Sequence, residues 1–348
     1  MKSVSIWLIA LALVLIGATP SGAVVVINGQ SYVAMPDWAH ANGFGGYLRN
    51  RGQSVVMTNR TSRLLFDVNS AVAEINGVQV RLSFPIANAR SGPCISQLDL
   101  DTAIKPLVYA PRPASHRVRT ICLDPGHGGN DTGNRVGSGF FAHNEKTYTL
   151  ALAQELGAQL KGLGFNVVYT RTKDERVELP VRPAIANRAG ADLFVSLHFN
   201  ATQSGKDEVS GPETYCITPV GASSSNAQGE GADHGPVAAN RQEDRSLVLA
   251  YQVQKSLVNN LGVQDREVRR ARFAVLRDAQ MPAILVEGGY MTHPVEGRKI
   301  FDARYRKQMA AAIVKGILAY QRLTAPPTAT PTRAVVQSSN GSTVARTR

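Results

Sequence analysis

The chain has 348 residues, of which 43% are hydrophobic and 18% charged, with a formal net charge of +12. That length exceeds one small domain, and that apolar content excludes a disordered chain. Three cysteines in the whole sequence exclude a disulfide framework.

Residues 1–23, MKSVSIWLIALALVLIGATPSGA, place Lys2 before an apolar stretch from Val4 to Ala18 and end on Ser21-Gly22-Ala23. This is the layout of a secretory signal with a small-residue cleavage site. The apolar stretch falls short of the ~20 residues that a membrane span needs, so no stable membrane anchor is expected after cleavage. The rest of the chain is expected to be exported, to the periplasm or cell wall. A basic exported chain meets wall polymers and lipid headgroups, and nucleic acid is not an expected partner. The bland alternative for the charge is an evenly spread, solubilising surface. Cys122 and Cys216 sit in apolar runs and read as small core residues.

Residues 24–107 read as a small β-rich module. VVVINGQSYVAM and VAEINGVQVRL each set an Asn-Gly pair between apolar alternations, predicting two-residue hairpins at Asn28-Gly29 and Asn76-Gly77. MPDWAHANGF predicts a short helix stopped by Gly43. A proline-rich basic stretch at 108–117 reads as a linker.

From 118 to 323 strand-like and helix-like segments alternate, which predicts an α/β domain with a mostly parallel sheet and helices on both faces. The predicted strands are VRTICLDPG, FNVVYTR, ADLFVSLHFN, GPETYCIT and PAILVEGGY. Helices are expected over 145–163, around 184–188, over 246–260 and over 304–320. In the first of these Leu152, Leu156, Leu160 and Leu163 recur as one apolar face. Residues 219–245 form a long loop rich in small residues. Residues 324–348, with no acid and no aromatic residue, are expected to be disordered.

Three strands end on a residue able to bind metal or move a proton: ICLDPGH on His127, LFVSLH on His198 and AILVE on Glu287. Ligands of open α/β sheets bind at the carboxyl ends of strands, so the three endings point to one cleft. Glu145 follows Asn144, a candidate N-cap, and opens the long helix. It either joins the cleft or complements the helix dipole. Two histidines and a carboxylate form the ligand set of a catalytic zinc with an open fourth position. His143 competes for the place of Glu145 and ranks below it, because it stands outside the helix. Asp124 either orients a ligand or caps the turn, while Arg182, Arg188 and Arg277 either hold substrate carboxylates or pair on helix surfaces.

DPGHGGNDTG, NEK, TRTKDERVELPVRPAIANRAGADLFVSLHFNA, GPETYC and VLRDAQMPAILVEGGYMTH, in that order, resemble the zinc-dependent N-acetylmuramoyl-L-alanine amidases over about 118–322. The INGQSYV…INGVQVRLS echo resembles the amine-oxidase-like module of exported bacterial proteins and implies a wall-binding or spacer role. By position, the resemblance implies Zn2+ ligands at His127, Glu145 and His198, and a catalytic glutamate at Glu287. It implies a peptidoglycan substrate cut between the lactyl group of N-acetylmuramic acid and L-alanine. A zinc-activated water would attack, with Glu287 as general base. A regulatory or localising wall protein is the further partner to expect. Gly128 and Gly129 are expected to leave room for the metal and the substrate. The last motif has Tyr290 and His293 where relatives commonly carry Phe and Asn. The alternative functions are a zinc peptidase or deacetylase on wall substrates, an inactive wall-binding protein, and a glycosidase using Glu145 and Glu287. The last leaves both histidines unexplained.

Overall fold

The computed structural model describes residues 24–49, 53–109, 111, 113–139, 142–226 and 235–326. The signal-like segment 1–23, most of the 324–348 tail and the middle of the 219–245 loop lie outside the described residues.

The N-terminal part carries β1 (Val24–Ile27), β2 (Gln30–Ala34), α1 (Met35–Ala41), β3 (Gly45–Arg49), β4 (Ser54–Thr58), β5 (Arg63–Asp67), β6 (Val72–Ile75), β7 (Val78–Arg81), β8 (Ala87–Ala89) and β9 (Gly92–Ser96). Both Asn-Gly pairs turn hairpins: Ile27 pairs with Gln30 and Ile75 with Val78, and Asn28 and Asn76 each hold φ of 49°. That left-handed backbone matches the twist of the strands, which is why the sequence signal is strong. The stretch after β9, expected to stay β-rich, is helical instead: α2 (Gln97–Asp99), a π-turn (Leu100–Ile104) and α3 (Lys105–Val108) run on without a break. Ser96 caps this run by accepting from the amide of Asp99.

The second part contains β10 (Thr120–Pro125), β11 (Arg135–Val136), β12 (His143–Asn144), α4 (Glu145–Gly162), β13 (Asn166–Tyr169), α5 (Val181–Arg188), β14 (Leu193–Asn200), β15 (Glu213–Cys216), α6 (Glu243–Leu261), β16 (Val268–Arg270), α7 (Ala274–Arg277), β17 (Ala283–Tyr290), α8 (Pro294–Phe301) and α9 (Ala303–Thr324). Strands β13, β10, β14 and β17 are parallel neighbours, β15 is antiparallel to β17, and β16 is parallel to β15. Alternation along β10 sends Ile121 and Leu123 to the face covered by α4, α6 and α9. Cys122 goes to the face covered by α5 and α7. This half is therefore mostly parallel and covered on both faces.

The two parts do not stand as separate sheets. β16 pairs in parallel with β7, Val268 opposite Val80, so one mixed sheet of eleven strands runs β13-β10-β14-β17-β15-β16-β7-β6-β5-β4-β3. One apolar cluster spans the junction, from Met35, Phe66 and Ile104 to Leu257 and Ile313. Arg81 holds Glu267 through two bonds of 2.8 and 3.0 Å, and the Tyr251 hydroxyl donates to the Ile75 carbonyl at 2.8 Å. The expected linker lies strapped to the second part, with the Ala114 amide on the Thr324 carbonyl and His116 on Asp192. Among the described residues no helix is long and apolar enough to cross a membrane.

On α4, Leu152, Leu156 and Leu160 are buried as the spacing predicts. Leu163, expected on the same face, is 54% exposed, because the helix ends before it.

Candidate active site

The turn after β10 is shaped by its own backbone. His127 has a φ of 60°, a left-handed conformation that a non-glycine residue adopts at a cost of about 1–3 kcal/mol. Asp124 anchors the turn from below. It is fully buried and accepts from Thr170 Oγ1 at 2.5 Å, Ser196 Oγ at 2.7 Å and Arg182 Nη1 at 2.8 Å. Arg182 is itself buried and donates onward to the carbonyls of Pro125 and His127. Asp124 thus neither touches a ligand nor caps the turn, and Arg182 holds the loop rather than a substrate. Arg188 and Arg277 are exposed.

The glycines make room for protein, not ligand. A Cβ at Gly126 would lie 2.2 Å from the His198 ring, and one at Gly133 would lie 2.5 Å from His127 and 2.6 Å from Glu145 Oε2. At Gly128 a Cβ would strike the Glu175 carbonyl at 2.2 Å, so this glycine admits the 173–176 loop instead of metal or substrate.

Glu145 opens α4, and Asn144 takes the N-cap position without a side-chain cap bond. The first amides of α4 are met by loop carbonyls, Asn134 for Glu145 and Thr132 for Lys146. The Glu145 carboxylate turns away from its own helix. Oε2 lies 3.1 Å from His127 Nε2 and accepts the Asn134 amide at 2.9 Å. Oε1 lies 2.9 Å from His198 Nδ1 and accepts the Phe199 amide at 3.0 Å. The reading in which Glu145 only complements a dipole does not account for these four contacts.

His127, Glu145 and His198 offer ligand atoms that all lie within 4.8 Å of one another. Tetrahedral zinc with bonds of ~2.0 Å holds its ligand atoms roughly 3.3 Å apart, so the observed spacings suit such an ion. Asp131 sits 3.0 Å from His127 Nδ1, the nitrogen facing away from the cluster, and fixes the ring orientation. The electrostatics favour a cation as well. Burial pushes His127 down, but Glu145 and Asp131 outweigh it and hold its pKa above the usual value. Burial pushes Glu145 up, yet the two histidines keep its carboxyl well below the carboxylate range. His143 is not in this group. Its Nδ1 meets the Tyr148 hydroxyl and its ring stacks on Phe301 at 3.8 Å.

Glu287 stands opposite His198 in the β14–β17 register. Its Oε2 is buried and has no hydrogen-bond partner among the described residues. Burial raises its pKa well above the usual value, with Glu145 and Glu213 adding to the rise. A buried oxygen left without a donor is costly to stability, and beside the metal-type cluster a catalytic role accounts for it. Glu287 and the metal-type cluster line one cleft of about 350 Å³ with Asn134, Leu179, Phe273, Ala274, Val275 and Leu285. The apolar wall from α7 escaped sequence reading, since FAVL reads equally well as core. A larger cavity of about 870 Å³, lined by Lys105, Tyr109 and Glu243 among others, holds none of the strand-end residues.

The family model for N-acetylmuramoyl-L-alanine amidases (Amidase_3) matches residues 121–319. The chain belongs to the N-acetylmuramoyl-L-alanine amidase family. It is 31% identical over 303 residues to the amidase AmiC of Escherichia coli O6:H1, covering 75% of this chain and 72% of that one. It is 34% identical over 221 residues to AmiC of Neisseria meningitidis serogroup B, covering 58% of this chain and only about half, 52%, of that relative. A crystal structure of an N-acetylmuramoyl-L-alanine amidase from Clostridium difficile 630 covers 59% of this chain and 98% of its own, at 35% identity and a TM-score of 0.49. In this amidase-family chain the two departures in the last motif have structural jobs. Tyr290 is buried and donates to Glu213 at 2.8 Å. His293 Nδ1 caps α8 by accepting from Val295 and Glu296.

Proposed function

We propose that the chain is an exported peptidoglycan amidase. It cleaves the amide between the lactyl group of N-acetylmuramic acid and L-alanine, with zinc held by His127, Glu145 and His198. The observation that carries this reading is the meeting, near the ends of three strands and at one helix start, of a metal-type donor set with a carboxylate whose Oε2 is buried and unpaired. When bound, zinc supplies Lewis-acid activation of a water molecule and polarisation of the scissile carbonyl. The chain supplies the rest. Asp131 holds the His127 ring, while the amides of Asn134 and Phe199 hold Glu145. Glu287 Oε2, with no donor to compete for it, takes a proton from the attacking water and returns it to the departing alanine nitrogen. Leu179, Phe273 and Val275 exclude bulk water from one side of the cleft. The N-terminal part serves as an amine-oxidase-like wall-binding module, and its antiparallel hairpins support that reading.

The test is digestion of purified sacculi by the mature chain, with metal analysis of the same preparation. One zinc per chain, free lactyl carboxylates and stem peptides beginning with free L-alanine are expected. Cleavage inside the stem peptide, or loss of acetate from the sugars, would replace the amidase with a peptidase or a deacetylase.

A further inference from the structure

Glu213 is a buried carboxylate that the proposed chemistry does not use. It lies in the GPETYC segment, is 1% exposed, and stands directly opposite Glu287 in the β15–β17 register. Opposed residues of an antiparallel pair point to the same side of the sheet, so a like charge here opposes pairing unless something else holds it. Four donors and one further cation hold it. Tyr215 and Tyr290 donate their hydroxyls, each at 2.8 Å. Arg266 Nε donates at 3.0 Å, Asn200 Nδ2 at 3.1 Å, and Arg269 Nη1 stands 3.6 Å away. Burial pushes Glu213 up, but Arg269 and these donors hold its pKa below the usual value, so it keeps its charge.

The origin of these donors gives the network its meaning. Asn200 ends β14, two residues after His198, and Tyr290 ends β17, three residues after Glu287. Arg266 and Arg269 come from β16 and the segment before it. One carboxylate, at the start of β15, therefore ties the carboxyl-terminal ends of β14 and β17, which carry site residues, to the amino-terminal start of β16. β14 and β17 also lose register between His198 and Asn200, so the regular ladder does not fix their spacing at that point.

We propose that Glu213 is a positioning residue that sets the separation of His198 and Glu287 by clasping the ends of β14 and β17. It touches neither metal nor substrate. The proposal rests on the amidase reading for its rate measurement, and on that reading's zinc site for its second measurement. An amide in place of the carboxylate offers one acceptor oxygen and turns its own N–H groups toward donors, so Glu213→Gln opens the clasp at little change in volume. Glu213→Asp keeps both acceptor oxygens on a shorter stem.

The experiment compares Glu213→Gln, Glu213→Asp and Asp99→Asn in the full mature chain, acting on a soluble muropeptide. Asp99 is an equally buried carboxylate in the N-terminal part, bonded to Ser83, Phe84 and Ser96, and it controls for lost stability alone. Glu213→Gln is expected to lower kcat about 10²-fold, the cost of roughly 1 Å of misplacement, with KM changed less than about twofold. Glu213→Asp recovers part of that loss. Asp99→Asn lowers Tm and leaves kcat alone. Wild-type kcat in Glu213→Gln, or a loss no greater than in Asp99→Asn at equal loss of Tm, overturns the proposal. Should Glu213→Gln fail to fold, Asn200→Ala removes the β14 strut alone. It is then expected to weaken zinc retention about 10-fold against a chelator, within the range for supports of metal ligands. Unchanged retention overturns the proposal. A wild-type chain that binds zinc and leaves muropeptide intact refutes the amidase reading, while the Asn200→Ala retention measurement still decides the clasp.

Discussion

The two halves of the eleven-stranded sheet share one apolar cluster and end their strands in opposite ways. In the antiparallel half, β6 and β7 close on Asn76-Gly77, and the backbone is spent on the turn. In the parallel half, β10, β14 and β17 each run out into a longer connecting segment, and His127, just past β10, with His198 and Glu287 near the ends of β14 and β17, is left facing a cleft. Parallel strands need long connections, so their ends stay open, and that is where a family of enzymes can place ligands. Glu287, whose buried Oε2 is unpaired, and Asp99, buried and fully bonded, show the difference in two acids.

If this division of labour holds, site substitutions should remove chemistry and spare the fold, and substitutions in the antiparallel half should do the reverse. The largest expected effect is at the metal-type cluster. His127→Ala or His198→Ala should lose both zinc and detectable turnover, with far-ultraviolet circular dichroism unchanged. Chelation of the wild type should do the same, and added zinc should restore it. Full metal content in either variant would break the comparison at its strongest point.

Arg182→Ala probes the support beneath the cleft. It leaves Asp124 buried with Thr170 and Ser196 but no cation, and breaking a buried pair costs about 3–5 kcal/mol. Urea unfolding should show a loss of that size. A loss below about 1 kcal/mol would mean that the turn holds itself. The smallest effect is expected at the junction. Arg81→Ala removes a partly exposed bidentate pair with Glu267 and should cost about 1 kcal/mol, with kcat unchanged. A fall in kcat there would mean that the antiparallel half reaches the chemistry.

Much of this was legible in the sequence because the signals are local. An Asn-Gly pair writes its own turn, and a histidine or glutamate after four apolar residues announces a strand end. The pairing of β16 with β7 was not legible. β16 is three residues long, and its partner lies nearly two hundred residues earlier, so no local pattern records the contact. The helical run 97–108 was hidden because proline at 106 reads as a breaker, although the run carries it just after the π-turn, with the Thr102 carbonyl four residues earlier accepting from Arg270 instead. The loop-holding role of Arg182 is hidden in the sequence because its partner, Asp124, lies 58 residues away. The roles of Glu213 and Tyr290 were invisible for the same reason. The shared sheet also changes what a truncation means. Removing 24–107 would bare the β16 edge and cut through a common core, so point substitutions test the module more cleanly than deletion does.

The central claim is that Glu287 moves the proton while Glu145 holds the metal. Zinc content and turnover, measured together on Glu287→Gln and Glu145→Ala, test it most directly. Glu287→Gln should keep one zinc per chain and lose about 10²–10⁴ in rate, because the amide keeps the shape and cannot accept the proton. Glu145→Ala should lose zinc and activity together. Zinc lost from Glu287→Gln, with zinc and most activity retained in Glu145→Ala, would exchange the two roles and contradict the account.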